Sequence, residues 1–107
     1  MFDTNEFIRE NRKEQDSGYL RCPRLYCEDG FNISIQATAL HYCMPKDDDA
    51  YYLKVELGFP SERDSLLDIY QENSGMDPTQ SVYPYVPVEV VNQLIDKHGG
   101  RSEEYYA

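Results

Sequence analysis

Residues 24–37 read "RLYCEDGFNISIQA", and the reading of this stretch decides the fold. Phe31, Ile33, Ile35 and Ala37 alternate with Asn32, Ser34 and Gln36. Successive side chains of a strand point to opposite faces, so this period of two predicts a half-buried strand. The "EDG" before it is a hairpin signal. A two-residue Asp29-Gly30 turn would pair Tyr26 with Ile33 and set Cys27 opposite Asn32. A three-residue Glu28-Asp29-Gly30 loop with Gly30 left-handed would pair Cys27 with Phe31 and Leu25 with Ile33. The second register puts apolar residues together and is the one expected; a slip of one residue would reverse every side chain.

Residues 51–57, "YYLKVEL", repeat the alternation. Tyr51, Leu53, Val55 and Leu57 are expected inward, and Tyr52, Lys54 and Glu56 outward. "MPKDDDA" between the two strands reads as an exposed loop. Residues 61–73 read as a short helix with Ser61 and Asp64 at capping-box spacing and Leu66, Leu67 and Tyr70 on one face. "SGMDPTQSVYPY" reads as a long loop. Residues 87–98 form the clearest helix. Pro87 suits its first turn, Val90, Val91, Leu94 and Ile95 make the apolar stripe, and Gly99 ends it. With strands near 24–28, 31–38 and 51–58, the expected fold is α+β. It is a small antiparallel sheet of three or four strands with one or two helices packed on one face.

The 107 residues make one small domain the expectation, with a polar N-terminal arm over about 1–17 and a loose tail over about 101–107. Phe2, Phe7 and Ile8 offer the alternative of a short N-terminal helix. The first 16 residues lack an apolar h-region, so no signal peptide is expected, and no stretch is apolar enough to span a membrane. Three cysteines are an odd count, which suits a reducing cytoplasm better than a disulfide framework.

Twenty acidic and ten basic residues give a net charge of −10. Residues 44–79 hold nine acids and three bases, a net −6 that dominates the field. Such a surface repels nucleic acid and favours a basic protein. The alternative is that acidity only keeps a small protein in solution. Ten tyrosines without a tryptophan also suit an interface.

Cys22, Cys27, His41 and Cys43 are ligand types that suit tetrahedral zinc. Their C-x4-C and H-x-C spacing is unlike a zinc ribbon, and Cys22 and Cys27 would point to opposite faces of one strand unless Pro23 forces a bulge. Buried thiols are the expected reading, with no metal or other cofactor. His41 and Cys43 share a strand face, but no oxyanion element accompanies them, so no catalytic residue is assigned. Asp47, Asp48 and Asp49 are consecutive and lack the alternating oxygens of a calcium loop. They read as a solvated loop or as an electrostatic lure for a basic partner.

The segments "CEDGFNISIQA", "HYC-P", "VELGFPS" and "YVPVEVVNQLIDKHGG" resemble, in that order, a group of small bacteriophage-encoded proteins of uncharacterised function. The resemblance spans about residues 25–100. It implies a phage origin and a place in the host cytoplasm, with no site roles. Small phage proteins outside the virion often block a host factor. The expected function is therefore a non-enzymatic accessory protein that inhibits a host factor in host takeover or counter-defence, by acidic mimicry of nucleic acid. Asp47, Asp48, Asp49, Tyr51, Glu62 and Asp64 are the expected partner-binding residues. A homodimer is a further expectation for its assembly. The alternatives are a small-ligand binder that sequesters a nucleotide defence signal and a small structural zinc domain. A nucleotide binder would need a cationic pocket, for which Arg21, Arg24, Lys46, Lys54 and Arg63 are near the sheet.

Overall fold

The computed structural model describes residues 1–103. Helix α1 (Thr4–Asn11) leads into a two-stranded antiparallel ribbon, β1 (Lys13–Glu14) and β2 (Leu20–Arg21). A four-stranded antiparallel meander follows in the order β3 (Leu25–Tyr26), β4 (Asn32–Gln36), β5 (Lys54–Gly58) and β6 (Val82–Pro87). Helix α2 (Val88–Lys97) closes it. The fold is α+β, as the alternation and the α2 stripe predict.

The hairpin takes the three-residue register. Leu25 pairs with Ile33, the Cys27 N–H donates to the Phe31 carbonyl at 2.7 Å, and Gly30 has φ 96°. A left-handed backbone there favours glycine. Phe31, Ile33, Ile35 and Ala37 are all buried, and so is the α2 stripe of Val91, Leu94 and Ile95 with Val88.

The N-terminal segment is not an arm but the short helix that Phe2, Phe7 and Ile8 offered as the alternative. Asp3 caps α1 by accepting from the Glu6 N–H, and Phe7 and Ile8 enter the core. Asn5 holds the helix down. Its amide donates to the Tyr52 carbonyl at 2.9 Å, and its oxygen accepts the Tyr52 N–H at 2.7 Å. Thr4 bonds Asn92 of α2 through both its N–H and its hydroxyl. Gln36 does on the other side what Asn5 does here. Its amide accepts from the Cys22 N–H and donates to the Cys22 carbonyl, both at 2.9 Å. Two side-chain amides thus stand in for strand neighbours and satisfy backbone groups that burial would otherwise orphan. Gln36 and Ser34 are therefore buried although they face away from the apolar side.

Four expectations change. The alternation fails before β5: Tyr51 and Leu53 are exposed and Tyr52 is buried, because the chain bends at Leu53 and the ladder begins only at Lys54. The helix expected over 61–73 is a 3-10 helix, Ser65–Tyr70, capped by Asp64. Ser61 instead exchanges hydrogen bonds with Asn32. The end of the long loop is the strand β6. Pro84, expected in the loop, and Pro87, expected in the first turn of the helix, both belong to β6, which lies at the sheet edge, where missing N–H groups are tolerated. A bulge there sets two residues, Pro84 and Tyr85, against Glu56 alone, and Tyr85 takes φ 54°. The tail is fixed at its start: the Glu28 N–H donates to the Gly100 carbonyl, Arg101 bridges Cys27, and the Ser102 N–H donates to the Tyr26 carbonyl. The rest of the expected tail, residues 104–107, lies outside the described residues.

Candidate functional site

The acidic loop is held by its backbone. Arg12, at the end of α1, donates to the Ala37 carbonyl at 2.6 Å, to the Tyr52 hydroxyl at 2.8 Å and to the Asp48 carbonyl. The Tyr52 hydroxyl in turn donates to the Asp47 carbonyl. One cation and one buried phenol therefore fix residues 47–48 without neutralising a carboxylate. The Asp47 carboxylate accepts the Asp49 N–H at 2.9 Å, and that of Asp48 accepts the Ala39 N–H at 2.9 Å. Asp47, Asp48 and Asp49 are all exposed, as is Tyr51 just beyond.

The other acidic residues of the expected partner face lie elsewhere. Glu62 is exposed but follows Ser61, which bonds Asn32 at the start of β4. The acidic loop bonds Ala39, beyond the other end of β4. Residues 32–38 span about 20 Å if extended, so Glu62 and the loop do not form one patch. Asp64 is not available to a partner. It is buried, and it caps Leu66 at 3.0 Å while bonding Lys97 at 3.0 Å and His98 at 2.8 Å.

The structure does not bring the zinc set together. Cys22 follows β2 beside Gln36, Cys27 lies at the hairpin turn against Phe31, and Cys43 bonds the Thr38 carbonyl at 3.1 Å. Among the described residues, no three His, Cys, Asp or Glu side chains are placed to hold a metal ion. Burial raises the Cys22 thiol to about 11 and the Cys27 thiol to about 12, so both stay protonated at neutral pH. His41 and Cys43 both bond Thr38: the imidazole Nδ1 meets the Thr38 hydroxyl at 2.7 Å, and the thiol donates to the carbonyl. Burial raises the Cys43 thiol and lowers the His41 imidazole, and neither change makes a thiolate–imidazolium pair.

A cluster that the sequence reading missed lies at the other end of the sheet. His98, at the C-cap of α2, bonds Asp29 through Nδ1 at 2.6 Å and Asp64 through Nε2 at 2.8 Å. Its ring stacks on Phe31, with centroids 4.0 Å apart and planes within 9°. Burial alone would lower the His98 pKa; the two carboxylates outweigh it and raise it. Burial alone would raise Asp64, but the Leu66 N–H, His98 and Lys97 lower it. Bonds from Phe31 and His98 lower Asp29. With both nitrogens engaged by carboxylates, His98 has no lone pair left to act as a base or ligand. The arrangement joins the hairpin turn, the 3-10 helix and the end of α2. Comparison with protein-family models, curated proteins and solved structures finds no match. The available signal was weak: Asp29 in a turn, Asp64 before a helix and His98 before two glycines each have an adequate local role.

No helix among the described residues is long and apolar enough to cross a membrane.

Proposed function

We propose that this chain is a non-enzymatic binding protein whose acidic loop docks a basic protein, in keeping with a phage accessory protein that blocks a host factor in the host cytoplasm. The observation that carries this reading is the hold of Arg12 and Tyr52 on residues 47–48. It fixes the backbone by its carbonyls and leaves three carboxylates facing solvent beside an exposed tyrosine. A preorganised charge cluster loses little entropy on binding and steers encounter with a partner of opposite sign. The net charge of −10 adds to that field and opposes nucleic acid as the direct partner. The residues that would read the partner are Asp47, Asp48, Asp49 and Tyr51.

The test replaces Asp47, Asp48 and Asp49 together by Asn. Asparagine oxygens still accept from the Ala39 and Asp49 N–H groups, so the melting temperature should stay within about 3 °C. Wild type and variant are compared as baits in host lysate, and the captured protein is then purified for association rates. The wild type should capture a basic protein and associate at least about tenfold faster than the variant at low salt. Raising salt from about 0.05 M to about 0.5 M should remove most of that difference. Equal association of both proteins at every salt concentration would reject the reading.

A further inference from the structure

In an acidic chain the β1–β2 ribbon is basic. Residues 9–24 hold five of the ten basic residues and three acidic ones, a net +2. Lys13 and Arg21 stand directly opposite each other in the ribbon, and both are exposed. Like charges so placed, with Cβ atoms about 5 Å apart, destabilise an antiparallel pair. Among the described residues, neither has a carboxylate within ion-pair distance. They line a cleft of about 510 Å³ together with Gln15 and Arg24, and its lining contains no acidic residue.

The ribbon also sets what lies beside them. The Gln15 N–H donates to the Tyr19 carbonyl at 2.8 Å, which continues the Lys13–Arg21 register by one step. By the alternation of strands, Lys13, Gln15, Tyr19 and Arg21 share one face, and Glu14 and Leu20 take the other. A second cleft, of about 570 Å³, shares Gln15 and Arg21 and adds Tyr19, Leu40 and Asp48. The two clefts meet at Gln15 and Arg21, so the cation pair adjoins a lining that also holds an exposed phenol, an apolar side chain and a carboxylate.

We propose that this pair of clefts binds a small phosphorylated ligand with a planar ring, of the class of a nucleoside monophosphate. A guanidinium fork and an ammonium on adjacent strands suit one phosphate group, which accepts several charge-assisted hydrogen bonds. The ring lies against Tyr19 and Leu40, and the Gln15 amide, whose nitrogen donates to the Lys13 carbonyl at 3.3 Å, offers its oxygen to the ring's edge. Asp48 in the second cleft repels a second anionic group, and the net charge of −10 opposes a polyanion. Both point to a single phosphate rather than a nucleic-acid strand. Arg24, whose guanidinium is held by Asn32 and the Phe59 carbonyl, adds its field to the cation end. The site is separate from the residues that carry the proposed partner docking, apart from the Asp48 wall.

The test is an NMR titration of the whole chain at about 20 mM salt with four probes: adenosine monophosphate, adenosine, inorganic phosphate and a short single-stranded oligonucleotide. The monophosphate should give saturable shifts at the amides of Lys13, Tyr19 and Arg21. Adenosine and phosphate should each bind about tenfold or more weakly, since each supplies half of the contacts. Lys13→Ala and Arg21→Ala should each weaken the monophosphate by about tenfold without lowering the melting temperature, because both side chains are exposed and each removal relieves the like-charge pair. The proposal is overturned by no saturation at about 10 mM monophosphate. It is equally overturned by unchanged affinity in both variants, by adenosine binding as tightly as the monophosphate, or by tighter binding of the oligonucleotide.

Discussion

Replacing His98 by Ala tests the main electrostatic junction of the fold. The side chain of His98 is 9% exposed and that of Asp64 3%, against 50% for Asp29, so the cost resides mainly in the Asp64 arm. Removing one partner of a buried pair costs about 3–5 kcal/mol, since the remaining charge stays desolvated. Lys97 and the Leu66 N–H still bond Asp64, which places the expected loss near about 3 kcal/mol. Loss of the Phe31 stack adds about 1 kcal/mol. For a chain of this size the total of about 4 kcal/mol lowers the melting temperature by roughly 16 °C or more. Urea unfolding followed by tyrosine fluorescence at pH 6 measures the loss, and an Asp64→Asn cycle measures the coupling.

The pH dependence has a definite sign. His98 has a raised pKa in the folded state, so its contribution is complete below its unfolded value of about 6.5 and is lost as pH rises through the folded value. Asp29 and Asp64 have lowered pKa values, so their contribution is complete above about 4 and is lost as pH falls through the folded values. The wild type should be most stable between about pH 4 and 6.5 and should weaken above it. His98→Ala, with the same cysteines and tyrosines, should lack the part of that alkaline decline that His98 causes. A loss below about 1 kcal/mol, or an identical alkaline decline in the variant, would refute the assignment of His98 as a structural imidazolium.

Two further substitutions probe the supports of the candidate surfaces. Leu94→Asp should leave no cooperative thermal transition in circular dichroism, because Leu94 is fully buried in the α2 stripe and a carboxylate there has no partner; a transition near the wild-type temperature would contradict the core position. Arg12→Met keeps the aliphatic stem but removes the guanidinium that binds the Ala37 and Asp48 carbonyls and the Tyr52 hydroxyl. It should cost about 1–3 kcal/mol and speed amide exchange across residues 47–50, and unchanged exchange there would show that the loop holds itself.

Local pattern alone determined the central hairpin and the last helix. The Leu25–Ile33 register follows from matching apolar faces around a turn whose glycine is left-handed, and α2 follows from its stripe and terminal glycine. Both are legible because each interaction joins residues close in sequence, so a period or a turn residue encodes it. The exposed acidic loop was legible for the same reason, as a run of charge between two strands. Tertiary structure decided the rest. Nothing local in "TNEF" shows that Asn5 will pair with the backbone of Tyr52, 47 residues away, and so turn an apparent arm into a packed helix. Pro84 reads as loop and Pro87 as a helix start until the strand's place at the sheet edge makes their missing N–H groups harmless. Asp64 read as a surface acid until the fold set it against His98, 34 residues on, and Asp29 meets the same ring across 69 residues. A polar side chain carries no mark of its distant partner. Its role is set by which carbonyls and charges the folded chain brings within about 3 Å of it, because that distance decides between hydration and a buried hydrogen bond.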